Sequence, residues 1–316
     1  MNRFIRYFNQ NKNKIIISVA IIAFIIIIIR IIDSLYAENT NKRNMENTIT
    51  KDDHKPTTSV ITGDNVSEDV TDKNKNEIDN FVNYCNNKEF DKAYGLLTED
   101  CKAEFGNNIE NFKKQYVEKV FNKDKTYNME LWLNEGNEYT YKVTFLENNL
   151  LSTGGQNLDN NIQDYITIIN NNNENKININ GFIKKEAINK SNSEANIDII
   201  INSKKIYKNY EIYNLTIRNR NEKSIGLTDS KSGKNICIVD ENNIEYGALL
   251  NDISMENLEV KPAFEKNIDI KFNKIFDKNK DVEKLLLKNV IIDYKKDTQE
   301  SEIVKTEKVE IEIKIK

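Results

Sequence analysis

The sequence predicts two folded modules behind an N-terminal membrane segment: an α+β domain of three helices with an antiparallel sheet, then an all-β sandwich. Three observations predict this. Residues 15–32 are almost wholly apolar, apolar spacing changes from helical to alternating after Lys125, and alternation then runs to the C-terminus from about residue 195. The chain has 316 residues, enough for one large or two small domains. Its 2 prolines and 10 glycines exclude collagen-like and proline-rich fibres.

Residues 1–14 form a short basic tail, and residues 15–32 read IIISVAIIAFIIIIIRII. Eighteen helical residues span about 27 Å, close to the thickness of a bilayer's hydrocarbon. Arg30 lies near one end, where its head group can reach the lipid surface. The first 32 residues hold five of the 46 basic residues and none of the 50 acidic ones. By the positive-inside rule the tail is expected in the cytoplasm and the rest of the chain outside. The expectation is a single-pass protein of the cell membrane, its partner there the lipid bilayer. A cleaved secretory signal is the alternative, with Ala37 before the cut and a non-small Leu35 against it.

Residues 33–75 are polar and aperiodic, a flexible linker. From residue 76 to 190 an α+β domain is expected. Ile78, Phe81, Val82 and Cys85 share a helix face, as do Phe90, Ala93, Tyr94 and Leu97. Asn107 is positioned to cap a third helix striped by Ile109, Phe112, Tyr116 and Val120. Tyr127, Met129, Leu131 and Leu133 then alternate, as do Tyr139, Tyr141, Val143 and Phe145; DYITIIN and KININGFI complete four strands. The opening helix, the phrase KEFDKAYGLLTED, the third helix ending near Phe121 and the four strands make residues 74–190 resemble the nuclear-transport-factor-like family (the ketosteroid-isomerase-like cone). That resemblance implies helices packed on a strongly curved sheet, with a cavity.

Residues 195–316 contain ANIDIIINSK, YEIYNLTIRNRN, KNICIVDENN, NIDIKFNKIF, KNVIIDYKK and VEIEIKIK, short alternating strands of a sandwich. The TIRNRNEKS loop, Val239-Asp240 and Lys261-Pro262 resemble the telokin-like immunoglobulin-like domains of bacterial envelope proteins. The resemblance implies a fold and no activity.

The chemistry that can be excluded is broad. One histidine, His54, leaves no basis for a His-based triad or a His-rich metal site, and three cysteines give no metal spacing. No basic patch for nucleic acid follows the N-terminus. Neither cofactor nor catalytic residue is expected. Glu130 and Asp164 are strand acids read as solvated, and Asp229, Asp240 and Glu241 are read as turn residues rather than a calcium site. Cys85 and Cys101 are either packed thiols or a disulfide across two helices, and Cys237 is a packed strand residue. Trp132 breaks the alternation of its strand and is the candidate binding residue, in a pocket or interface, against packing alone.

The expected function is non-catalytic binding or scaffolding at a bacterial cell surface, through a protein partner. The single-anchor architecture resembles the inner-membrane assembly factors of type IV secretion and conjugation machines. The alternative is capture of a small ligand or wall fragment in a cone cavity.

Overall fold

The computed structural model describes residues 57–147, 161–171, 174–294 and 307–316. The described chain is predominantly β. One antiparallel sheet has the order β1-β2-β3-β4, built from Lys125–Glu135, Glu138–Glu147, Ile162–Asn171 and Glu174–Asn178. A second has the order β12-β7-β6-β5, from Glu265–Phe272, Glu211–Asn219, Ile197–Tyr207 and Phe182–Glu194. The third runs β10-β9-β13-β8-β11, from Glu245–Gly247, Ile236–Asp240, Val282–Ile292, Ile225–Gly226 and Glu259–Val260, with β14 (Lys308–Lys314) also paired to β13.

This corrects the expected α+β cone and sandwich behind a transmembrane helix. Among the described residues no helix is long and apolar enough to cross a membrane, which corrects the single-pass reading. Residues 15–32, the tail 1–14, His54 and the loop at 152–160 lie outside the described residues.

Nor are there three comparable helices among the described residues, where only α1 (Glu68–Asn86) is long. It is followed by α2 (Phe90–Gly95) and α3 (Glu99–Glu104), then α4 (Ile109–Phe112), which passes through a π-turn at Lys113–Val117 into α5 (Glu118–Val120). Local chemistry explains the interruptions. Gly95 ends α2, and the Thr98 hydroxyl accepts from the Cys101 N–H to start α3. Gly106 and Asn107 then take positive φ, so Asn108, not Asn107, caps α4.

Helix α1 starts at Glu68, inside the stretch read as linker, because Ser67 caps it and Glu68 and Asp69 suit its positive end. Ahead of it, Thr58 bridges Asn65, and the N–H groups of Val60 and Ile61 donate to the carbonyls of Leu131 and Trp132. The folded chain therefore reaches back to residue 57 and covers part of the β1 edge. The opposite edge, β4, is covered by residues 96–98 through the Ile177 backbone. Ile78, Phe81, Phe112, Leu131, Tyr141, Phe145 and Ile166 bury their side chains in the core between helices and first sheet.

The expected fourth strand, KININGFI, is two strands joined by a turn. Asn180 and Gly181 both have positive φ and form a tight turn, closed by the Phe182 N–H donating to the Ile179 carbonyl at 3.2 Å, that carries the chain from the first sheet into the second. β5 then runs across the expected boundary at 190–195 and pairs with β6 through a second tight turn, where Ala195 and Asn196 also have positive φ. The second and third sheets share a core that includes Ile199, Leu215, Ile217, Ile238, Ile270, Leu285 and Ile313.

Candidate functional site

Trp132 sits where the pairing of β1 with β2 slips, between Leu131 and Leu133. A bulge places two residues opposite one, so its neighbours lose strict alternation. Leu131 enters the first core, whereas Trp132 and Leu133 enter a separate cluster with Ile183 and Ile206, flanked by Tyr165 and Phe276. Trp132 meets Tyr165 edge-on at 4.9 Å between ring centroids and Phe276 at 5.3 Å. The Lys208 ammonium lies 4.9 Å from the Trp132 ring centre and 5.3 Å from that of Tyr165. Burial lowers the Lys208 pKa. Trp132 is itself buried, and it joins the first sheet to β5, β6 and the segment after β12.

Asp164, on β3 beside this cluster, is buried rather than solvated. Its carboxylate accepts from the Tyr116 hydroxyl at 2.7 Å and from the N–H groups of Tyr165 (2.7 Å), Gly181 (2.8 Å) and Asn180 (2.9 Å). Burial raises its pKa while these four donors oppose the rise. With four donors engaged, the carboxylate is a structural acceptor tying the π-turn to β3 and the β4–β5 turn. Glu130, in contrast, is exposed and only 3.8 Å from Lys142.

Adjoining the Trp132 cluster, and sharing Ile206 and Phe276 with it, is a cleft of about 480 Å³. Ten of its sixteen lining residues are charged, five basic and five acidic. Lys184 bridges Glu135 (2.9 Å) and Glu186 (3.1 Å), and Lys204 pairs with Glu186 at 2.9 Å. Burial opposes the Lys184 charge, but its two carboxylate partners outweigh that and raise its pKa. Lys316 pairs with Asp281 at 2.7 Å across the rim. At the floor Lys274 pairs with Glu211 at 2.8 Å, both almost fully buried, and the Tyr213 hydroxyl donates to the other Glu211 oxygen at 2.9 Å. Burial and the Glu211 charge hold the Tyr213 phenol well above its usual pKa, so it stays a donor. Lys278 is exposed on the cleft and, among the described residues, has no ion-pair partner.

None of the cleft residues was singled out from the sequence. A signal was present: Glu211 lies in phase with Tyr213, Leu215 and Ile217, and Lys274 with Ile268, Ile270 and Phe272, all buried. Asp164 is likewise in phase with Ile166 and Ile168.

Cys85 and Cys101 are free thiols buried in the first core, so the disulfide alternative is not formed, and Cys237 is free and buried as well. Burial pushes the Cys101 thiol up to about 12 and raises that of Cys85. In the third sheet Asp240 is enclosed, accepting from the N–H groups of Asn242 and Ile244 and from the Tyr246 hydroxyl, and Asp229 pairs with Lys308. Among the described residues no group of three or more His, Cys, Asp or Glu side chains is placed to hold a metal.

Comparison with protein-family models, curated proteins and solved structures finds no match to this chain, so the two family resemblances rest on the sequence phrases quoted above.

Proposed function

We propose that the chain is a non-catalytic binding or scaffold protein of a bacterial envelope, exported from the cytoplasm, and that the charged cleft receives a polar segment of a protein partner. The cleft carries the reading. Its walls pair cations with anions at close range, so a partner bearing both signs can exchange with those pairs without stranding a buried charge. Asp164 and Glu211 already have their oxygens engaged, which suits acceptors that hold a frame rather than groups that move protons. Export is supported by the order of basic residues followed by an apolar run at positions 1–32.

A second reading, capture of a small polar ligand or wall fragment, is favoured by the cleft's size, which falls within the roughly 300–1,000 Å³ of small-molecule sites. Such sites are mostly apolar, and this one is mostly charged, which favours the protein partner.

The test places a photo-crosslinking amino acid at Lys278, on the cleft, or at Lys234, exposed on the loop before β9, in intact cells that produce the protein. A discrete protein adduct from position 278 and not from 234 is the expected result. Identical adducts from both positions, or none from 278, would reject the cleft as a partner site.

A further inference from the structure

The chain is rich in asparagine, yet only Asn180 is followed by glycine. An Asn–Gly step is chemically exposed, because glycine places no side chain over the amide nitrogen that can attack the asparagine side chain. Here the step forms the tight turn between β4 and β5, with φ of 61° at Asn180 and 69° at Gly181. The Asn180 side chain is exposed, and water can reach it. The nitrogen that would attack is engaged elsewhere: the Gly181 N–H donates to Asp164 at 2.8 Å and the Asn180 N–H to the other oxygen at 2.9 Å. The Gly181 carbonyl is also fixed, accepting from the Lys208 N–H at 2.9 Å.

We infer that Asn180 is a deamidation site held in check by Asp164. The carboxylate disfavours loss of the Gly181 amide proton and keeps that nitrogen from turning toward the Asn180 side chain. When the grip opens, the Gly181 nitrogen bonds to the side-chain carbonyl carbon of Asn180 and closes a five-membered imide. The bond from that carbon to the side-chain nitrogen breaks, and ammonia leaves with the proton from Gly181. Water then adds to either imide carbonyl and opens the ring, leaving aspartate or isoaspartate. One ammonia departs and one water enters.

The product is a one-way change at a structural joint. A carboxylate at position 180 repels Asp164, and isoaspartate adds a backbone atom to a two-residue turn. Both loosen the hold of Asp164 on the π-turn through Tyr116.

The experiment incubates the purified full-length chain at mildly alkaline pH, folded or in urea, and follows Asn180 by peptide mapping through the mass gain of amide-to-acid conversion. Conversion in the folded chain should be slower by at least about tenfold, the factor that corresponds to about 1.4 kcal/mol of local opening. Equal rates folded and in urea overturn the inference, and this comparison needs no variant. Asp164→Asn should move the folded-state rate toward the urea rate. Leu287→Ala, in the core of the other two sheets, should not do so while circular dichroism shows it folded. If Leu287→Ala accelerates conversion as much as Asp164→Asn, general loosening and not Asp164 sets the rate, and the assignment to Asp164 fails.

Discussion

Replacing Lys274 by methionine leaves the buried Glu211 carboxylate with Tyr213 as its remaining side-chain donor. The two charged side chains retain only 5% and 3% of their exposure, so water offers little compensation. Removing one member of such a pair costs about 3–5 kcal/mol, whereas replacing both by apolar groups is often neutral or better. The double variant Lys274→Met with Glu211→Leu should therefore recover most of the loss. It should not recover all of it, since the buried Tyr213 hydroxyl loses its acceptor, worth about 1–3 kcal/mol. Adding Tyr213→Phe removes that orphan and should restore the remainder. The assay is urea unfolding, followed by fluorescence of the lone Trp132 and by circular dichroism, whose coincidence checks two-state behaviour. At a slope of about 1–3 kcal/mol per molar urea, a 3 kcal/mol loss moves the midpoint by about 1–3 M. The double-mutant cycle should give a coupling of at least about 2 kcal/mol. A single-variant cost below about 1 kcal/mol, or coupling near zero, would mean that water reaches the pair and that the cleft floor is not a fixed frame.

Trp132→Ala should cost about 3–5 kcal/mol, since it empties the centre of the cluster and removes a ring facing Lys208; urea midpoints measure it, and a loss below about 1 kcal/mol would contradict its packing role. Stability should fall in acid. Burial would raise the Glu186 pKa, but Lys204 and Lys184 lower it below its ordinary value; the Asn279 N–H lowers that of Asp277, and Lys316 that of Asp281. A carboxylate with a depressed folded pKa stabilises above its unfolded value near about 4, and that stability is lost as pH falls through the folded pKa. Asp164, raised by burial, works in the opposite direction over the same range, so Asp164→Ala should steepen the acid loss; an unchanged urea midpoint from neutrality to about pH 3 would refute the assignment of the cleft acids. Cys85 and Cys101, with raised thiol pKa values, should resist maleimide at about pH 8 until urea unfolds the chain; rapid labelling of the folded chain would contradict their burial.

How much of this was legible depends on which physical effect governs each element. The helical face of Ile78, Phe81, Val82 and Cys85 and the strand alternation of Tyr141, Val143 and Phe145 are set by burial of apolar groups, and their spacing states it directly. The breaks were harder to read. The break at Gly106–Asn107 is misplaced by one residue only, since Asn108 caps α4. The break between α2 and α3 at Gly95–Thr98 and the π-turn at Lys113–Val117 fall within stretches whose apolar spacing stays nearly helical, so periodicity alone joined pieces that backbone chemistry separates. The same applies to KININGFI, where the Asn180–Gly181 turn signal was present but the run was read as one strand. Missing that turn also misplaced the boundary, because β5 continues through it into the pairing with β6.

The site was less legible than the fold, for an electrostatic reason. A charged residue in an alternating strand is ordinarily solvated, and Glu130 behaves so. Asp164, Glu211 and Lys125 fall instead in phase with the apolar set of their strands, Lys274 lies two residues beyond Phe272 at the end of β12, and all four are buried. Phase, not charge, distinguishes them. A charge on the core side of a strand must find its counter-ion or donors within the fold, or the strand cannot pack. Those partners come from distant segments: Tyr116 from the π-turn for Asp164, and Lys274, 63 residues along the chain, for Glu211. Sequence can therefore mark one half of each buried polar contact through its phase. Identifying the other half requires the pairing of strands, which is why Trp132 was noticed as an anomaly while the cleft beside it was not.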